Sequence, residues 1–565
     1  MPSLLLKVLV AAPAVYSTLL LAWHLLRRHL LAKHIGISSL PLLQTGRHPS
    51  QKIEGTAVIC GGSIAGLLAA RICHEHFERV VIVEPEAWVA SEEGRKVDGW
   101  ILTSQRSRVM QYTSLHACQA YFFAGMRHLF PNLKEECYRS NIKYLYISSV
   151  AQWFNVRSRI QSHNQMYNTS GSIWRTPPVL RENMYVGRAG IETFLRRLVL
   201  DRDTYPNIEF ITGTVTDVLP DPINPSRFSK VIVRRDSSGA VHEFPAALVA
   251  DCTGPARVGL KWLARHGYGS STSYPGAKLP LDRLKISLDQ KLRYSSMLFR
   301  ISSEFHDSIP FPANVKDVKP IYTFIEDATD ESLARGRAIV VILRADGDQL
   351  VVFSGHYGSD RPQPKSLREL KEFARDLYAV TPIPDWVFKL LDMLEEIEDS
   401  ATVSLVKVPA TTYIRYHRAT NLPSNFVALG DSVMTVNPLF GEGCTKALRC
   451  AIALHTVLLR AQATSGRTLP ATFATDFFAE EHAKTDWLWE NTRLMDYGMP
   501  TTEPIAGESL QSGAFLRWYV NWLQRLAPTD DHAGLVMYDS TCGFASPIDA
   551  LHPALVMKVL WRAVV

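Results

Sequence analysis

Cysteine is scarce in this chain. Eight are spread over 565 residues, at 60, 73, 118, 137, 252, 444, 450 and 542, and none form a Cys-x-x-Cys pair. No His-rich spacing joins them, so a structural zinc site is not indicated and the thiols read as reduced, intracellular side chains. Internal repeats and low-complexity tracts are also missing, which leaves out repeat arrays and biased linkers. An excess of one charge is absent from nearly the whole chain. Lys7, Arg27, Arg28, Lys33, Arg47 and Lys52 precede the first acidic residue, Glu54, and the remaining 55 basic residues face 55 acidic ones. A neutral body lacks the concentrated basic face that phosphate backbones require, so nucleic acid is excluded as a partner. Apolar residues make up 46%, enough for a large core in two or more lobes.

What is present begins with an apolar N-terminus. The nineteen residues Val8 to Leu26 are interrupted only by Ser17, Thr18 and His24. As a helix they would span about 28 Å, close to a bilayer core. Tyr16 and Trp23 suit an interface, and Pro13 is tolerable in a membrane helix. Arg27-Arg28-His29 follow directly with no small-residue cleavage site, against a removable signal peptide. The expectation is a membrane anchor over 1–33 and a linker over 34–54. The positive flank places the body on the cytoplasmic side, with the endoplasmic reticulum as the expected membrane. A helix lying on a surface, or packed on the protein itself, is the alternative.

Residues 56 to 66 read Thr-Ala-Val-Ile-Cys-Gly-Gly-Ser-Ile-Ala-Gly, and Glu84 ends the run Val80-Val81-Ile82-Val83. Strand, glycine turn, helix start, second strand and acid in this order build a seat for an adenine dinucleotide. Gly61 allows the tight turn and Gly66 close helix packing, while Gly62, Ser63 and Ala65 complete the corner. The helix N-terminus attracts a pyrophosphate, and Glu84 is placed to accept ribose hydroxyls. Ser63 stands where the pattern has its middle glycine; its Cβ hinders close approach, although its hydroxyl can bond a phosphate. An ordinary glycine turn in a parallel sheet is the bland reading of the same residues.

A second corner lies far away. Asn425-Phe426-Val427-Ala428-Leu429 reads as a buried strand closed by Gly430-Asp431. Asn437-Pro438-Leu439-Phe440-Gly441-Glu442-Gly443 then leads into an apolar helical stretch from Cys444 to about Leu459. An aspartate at a strand end can hold a polyol hydroxyl. Gly441 and Gly443 aim backbone N–H groups at an anion such as the pyrimidine edge of a reduced flavin. Cys60 and Cys444 lie beside the two corners, where small residues filling tight packing is the simplest reading.

Together these corners resemble a FAD-dependent monooxygenase of the single-component aromatic hydroxylase and squalene epoxidase superfamily, of the microbial or fungal secondary-metabolism type. The likeness covers roughly residues 55 to 460. It implies that Asp431 holds the ribityl chain and that Gly430, Pro438, Gly441 and Gly443 surround the flavin. It implies that Arg188, in Gly187-Arg188-Ala189-Gly190-Ile191-Glu192, reaches the FAD. Asp251, in Val249-Ala250-Asp251-Cys252-Thr253-Gly254, partly matches an Asp-Gly motif whose glycine here comes three residues late. Arg108-Val109-Met110-Gln111 through His116, and Leu129-Phe130-Pro131-Asn132-Leu133, resemble microbial members.

The implied fold is α/β. A discontinuous Rossmann-like FAD-binding domain (55–265 and 421–460) encloses a β-sheet substrate lobe (266–420), and a helical region (461–565) follows. The implied activity uses FAD, NADPH or NADH, and O2 to hydroxylate, epoxidise or oxidatively decarboxylate a lipophilic terpenoid, prenylated phenol or polyketide. No protein nucleophile or acid–base pair is required, and no catalytic residue or metal is assigned; His116, Tyr294 and Arg415 are pocket candidates. The alternatives are a flavin-dependent reductase of an isoprenoid, a squalene-type epoxidase, a halogenase (whose Trp-x-Trp-x-Ile-Pro signature is missing) and a flavin-binding protein without turnover. Ser366 with Glu369 predicts one capped helix, Asp385 predicts another, and the tail Leu551 to Val565 is expected to pack on the body.

Overall fold

Uninterrupted aliphatic runs make strands that are buried on both faces, and such strands pair in parallel. Ile53–Cys60 (β1) is buried from Thr56 to its end. Phe77–Glu84 (β2), Ile208–Thr212 (β3), Leu248–Asp251 (β4) and Phe426–Ala428 (β5) join it, all in parallel, in the spatial order β5-β4-β1-β2-β3. The chain moves outward from β1 through β2 to β3, then returns to the opposite side of β1. That reversal leaves a crevice beyond the carboxyl ends of β1 and β4. This computed structural model describes residues 2–102, 104–109, 111–146, 181–235, 239–271, 273–311, 321–326, 329–358, 361–378, 382–527 and 529–564. Met110 of the family-like segment lies outside them. Six helices matter for the site and the surface: Pro2–Leu30 (α1), Ile64–His74 (α2), Arg188–Val199 (α3), Gly443–Ser465 (α4), Ala514–Leu526 (α5) and Pro553–Val564 (α6).

A second, antiparallel sheet carries the strands Ile321–Ile325, Ala338–Arg344, Gln349–His356, Arg293–Arg300 and Thr402–Lys407 in that spatial order. Alternation along Arg293–Arg300 sends Met297 and Phe299 into one apolar cluster with Leu370 and Leu390. These leucines come from the helices Leu367–Arg375 and Asp385–Glu395, which cover that face. Tyr294 and Leu298 join the opposite cluster, which Leu115 and Leu439 also enter. Ser366 caps the first helix by accepting from Glu369 N at 3.2 Å. Asp385 is the first helical residue of the second, and Pro384 stands at its cap position. The apolar run Lys230 to Val233 lies in an antiparallel meander of Thr214–Pro220, Phe228–Arg234 and Val241–Pro245. Its alternating burial suits a sheet with one open face.

The N-terminal expectation needs correcting. The helix forms, but no helix among the described residues is long and apolar enough to cross a membrane. The C-terminal half of α1 is docked on the protein. Trp23 Nε1 donates to Ile548 O at 2.8 Å, and its ring meets His552 edge-on at 4.5 Å. Arg27 pairs with the buried carboxylate of Asp549. The segment read as a linker is packed rather than loose. Ile35, Leu40 and Leu43 are buried in the main core, and Arg47 Nη2 donates to Leu458 O at 3.2 Å. Apolar residues between the polar ones, at positions too irregular for a helix or strand pattern, dictate that packing.

Candidate functional site

The crevice is built where the first turn leaves β1. Gly61 takes φ +122°, and a Cβ there would stand 2.3 Å from Cys252 O at the end of β4. A Cβ on Gly66 would stand 1.8 Å from Gly61 O, so the first turn of α2 closes directly onto the glycine corner. Ser63 is the residue before α2, and Ala65 its second residue. Glu84 is buried and turns back, accepting from Gly62 N at 2.8 Å. Its other oxygen meets Arg106 Nη2 at 3.0 Å, a partner the sequence did not announce.

The hydroxyl of Ser63 joins two predicted residues. It accepts from Arg188 Nη2 at 2.8 Å and donates to Glu192 Oε2 at 3.1 Å. Burial alone would raise the Glu192 carboxyl, but Arg106, Arg188 and Arg196 around it hold it below the usual range. Arg188 begins α3, so the third helix is pinned to the nucleotide turn through one serine. Arg188 Nε is buried with no partner among the described residues, a free donor at the turn.

The second corner meets the first. Gly430 has φ +66°, and a Cβ there would lie 2.6 Å from Ala65 Cβ. Asp431 follows, with 47% of its side chain open while its neighbours are buried. Burial would push its carboxyl up, but Lys446 beside it prevails and holds it below the usual range. Lys446, itself buried on α4, pairs with Asp431 and donates to Met434 O. Asp251 is fully buried. It accepts from Thr253 N at 2.9 Å, Gly259 N at 3.0 Å and Ser432 Oγ at 3.1 Å. Its carboxylate is engaged in tying β4 to the Gly430 loop.

Pro438 starts a single turn, Gly441 closes it in the left-handed region, and α4 begins at Gly443. A Cβ on Gly443 would meet nothing within 4 Å, so the helix N-terminus faces open space. Asn437 fixes this loop through both ends of its amide. Its oxygen accepts from Leu439 N at 3.0 Å; its nitrogen donates to Asp496 at 2.7 Å and Tyr357 at 3.0 Å. Asp496 and Tyr357 gave no sequence signal, being 59 and 80 residues away. Burial pushes Glu442, before α4, up to about 8 and Asp496 up to about 7. Around pH 7 Glu442 is therefore mostly protonated and Asp496 about half ionised, so the pair carries less negative charge behind the helix start than two ordinary carboxylates would.

Of the three pocket candidates, His116 reaches this corner, with Nε2 3.6 Å from Cys444 Sγ. Tyr294 lies buried in the second sheet, its ring 5.2 Å from Phe353. Arg415 is engaged elsewhere, donating to Leu284 O at 3.2 Å and Arg283 O at 2.8 Å.

A parallel sheet with its switch-point crevice, a glycine turn under one helix, a half-open aspartate under another and an antiparallel second lobe define a class. That class is one of fold, shared with flavin-dependent proteins of known structure. Among solved structures the fold is similar to the flavin-dependent brominase Bmp2, with TM-score 0.50 and 12% identity over 90% of this chain and 100% of that one. It is equally similar to a flavoprotein/dehydrogenase from Cytophaga hutchinsonii, with TM-score 0.50 and 10% identity over 90% and 98% of the two chains. By sequence the chain is 25% identical over 415 residues to Protein Rv3254 of Mycobacterium tuberculosis (strain ATCC 25618 / H37Rv), covering 71% of this chain and 72% of that protein. No protein-family model matches it.

Proposed function

We propose that this chain is an FAD-dependent monooxygenase that takes electrons from NADPH or NADH and transfers one oxygen atom of O2 to a lipophilic substrate. The observation that carries the reading is the meeting of Gly430 with Ala65. It joins two corners 365 positions apart into one crevice holding a phosphate-type helix start, an open carboxylate and a second helix start.

The residues fit the cofactor. The first turn of α2 and the free Nε of Arg188 suit a pyrophosphate, Asp431 suits a ribityl hydroxyl, and the open N-terminus of α4 suits an electron-rich ring edge. Bound FAD would supply the reducing equivalents and the activation of oxygen. The chain's own part is to bind, orient and exclude water. Asn437, held by Asp496 and Tyr357, sets the loop that would border a bound flavin. The cluster of Tyr294, Val351 and Phe353, met by Leu115 and Leu439, offers an apolar wall beside that loop. An apolar wall accepts a hydrocarbon-rich substrate and keeps water away from a reactive oxygen species.

Attachment to a membrane surface, with the body in the cytoplasm, belongs to the same reading. Leu21 and Leu25 on α1, Phe515 on α5, and Met557 and Trp561 on α6 are all more than half exposed. α1 and α5 both pack on α6. Arg28, Lys558 and Arg562 lie on the same helices and suit anionic headgroups. Co-sedimentation of the full chain with anionic vesicles, lost in Phe515→Glu/Trp561→Glu, is the expected result; unchanged sedimentation of the variant contradicts it.

The deciding experiment for the enzyme is FAD titration followed by turnover in labelled oxygen with a panel of terpenoid, prenylated phenol and polyketide candidates. Substrate-stimulated NAD(P)H oxidation with label in the product is expected. Colourless protein after FAD exposure, or reduction of a substrate without oxygen uptake, ends the reading.

A further inference from the structure

Three reactive side chains at the rim of the crevice have no part in that reading. His116 and Cys118 lie in the segment leading into the helix Ala120–Leu129, and Cys444 is the second residue of α4. A ring nitrogen of His116 and the two sulfurs all lie within 4.8 Å of one another, and Nε2 is 3.6 Å from Cys444 Sγ. Both cysteines are buried. Ala117 O, between the first two residues, is 3.5 Å from where a Gly441 Cβ would stand, so the trio borders the Gly441–Gly443 rim.

The other six thiols are ordinary buried ones. Burial pushes Cys137 and Cys542 up to about 12, and lifts Cys60, Cys73, Cys252 and Cys450 as well. Cys444 alone moves the other way. A hydrogen bond from Cys118 outweighs burial, and His116 and then Arg188 add to it, holding Cys444 well below the usual thiol range. Cys118 moves up in return, as the donor that keeps its proton. Two thiols, one of them made more acidic by the other, with an imidazole beside them are the parts of a reactive dithiol.

We propose that Cys118 and Cys444 form a peroxide-reactive dithiol beside the flavin crevice, with His116 as the positioning and proton-handling group. The Cys444 thiolate attacks one oxygen of hydrogen peroxide. The O–O bond breaks, Cys444 becomes a sulfenic acid, and the departing hydroxide takes a proton from solvent to leave as water. The Cys118 thiol then gives its proton to His116, and its sulfur attacks Cys444 Sγ. A disulfide forms, and the sulfenic oxygen leaves as a second water, taking back that proton. Two thiols are oxidised and one peroxide is reduced to two waters. The sulfurs must close from within 4.8 Å to about 2.05 Å. The linked state would tie the 118 segment to the start of α4 across the rim, recording in the protein that peroxide had formed there.

The thiol chemistry stands on the geometry alone, whereas the peroxide source rests on the oxygenase reading, in which water reaching the site releases peroxide. The test therefore has two arms. In the first, the full chain without FAD receives added hydrogen peroxide and is mapped by peptide mass spectrometry. A Cys118–Cys444 linked peptide is expected ahead of oxidation at the other six cysteines. In Cys118→Ser, a dimedone adduct on Cys444 is expected. His116→Gln should slow the reaction about tenfold or more at neutral pH and move its pH profile upward, which loss of packing alone would not do. Random oxidation, unreacted Cys118 and Cys444, or a stoichiometric metal ion that shields them overturns the proposal. In the second arm, FAD-loaded chain turns over NADPH in air without added peroxide. The same link supports the oxygenase as the source. A link in the first arm and none in the second upholds the dithiol and counts against that source.

Discussion

Replacing Gly430 by alanine acts on two physical quantities at once. Gly430 sits at φ +66°, where an L-residue costs about 1–2 kcal/mol. The added methyl would lie 2.6 Å from Ala65 Cβ, roughly 1 Å inside normal carbon–carbon contact. Overpacking of this kind costs about 1–3 kcal/mol. The combined perturbation is therefore about 2–5 kcal/mol. The free chain can relieve the contact only by moving the loop after β5 away from α2, which parts the two corners. Bringing them back together reappears as lost FAD affinity, up to roughly a hundredfold. The backbone part remains as a lower thermal midpoint. Ala65→Gly separates the two effects, because it removes the opposing methyl and leaves φ unchanged. In the double variant, FAD affinity should return most of the way while the midpoint stays below wild type. Flavin-fluorescence titration and thermal unfolding of the two single variants and the double complete the cycle. If Gly430→Ala binds FAD as wild type does, or if Ala65→Gly rescues nothing, the corners do not meet as described and the functional reading loses its support.

Asp431→Ala should weaken FAD binding, but it also leaves the buried Lys446 with Met434 O as its one remaining partner among the described residues. Adding Lys446→Met should restore stability without restoring FAD affinity; recovery of both would mean that Asp431 serves only the lysine. Arg188→Gln should cost about tenfold to a hundredfold in FAD affinity through loss of a charged donor at the turn, read by the same titration; unchanged affinity would place Arg188 outside the cofactor site. Glu442 ionises near 8 in the folded chain against an ordinary 4.5, so the folded state holds the extra proton in between. Its contribution is complete below about pH 4.5 and is lost as pH rises through 8, a fall of about 2–3 kcal/mol between pH 6 and 8. Glu442→Gln should flatten the denaturation profile by that amount relative to wild type, and parallel profiles would show that the buried carboxyl is not protonated.

The local sequence carried whatever depends on near neighbours. β1, the glycine turn, α2 and β2 were legible because an aliphatic run, a glycine and an acid at fixed offsets have few other uses. The strand before Gly430 and the long helix after Gly443 were legible for the same reason. The N-terminal helix was legible as a helix but not in its setting. Hydropathy reports what a segment avoids, and Trp23 and Arg27 find their partners in Ile548 and Asp549, more than 500 positions away. The run Lys230 to Val233 is strand-like in sequence, but its partners Thr214–Pro220 and Val241–Pro245 are not legible there, because β propensity names no neighbour. The partners that tune the site were invisible in the same way. Arg106 on Glu84, Lys446 on Asp431, and Asp496 with Tyr357 on Asn437 are ordinary polar residues in unremarkable surroundings.

The order of residues thus determined by itself that this chain makes two glycine corners, each opening a helix behind a buried strand, since steric freedom at glycine and aliphatic burial act over a few residues. Only the tertiary structure decided that the corners touch at Ala65 and Gly430, and that one serine, one lysine and a trio of His116, Cys118 and Cys444 hold charge between them. Hydrogen bonds and ion pairs act over a few ångströms of space, and distance along the chain does not record which groups the folded sheet brings within that reach.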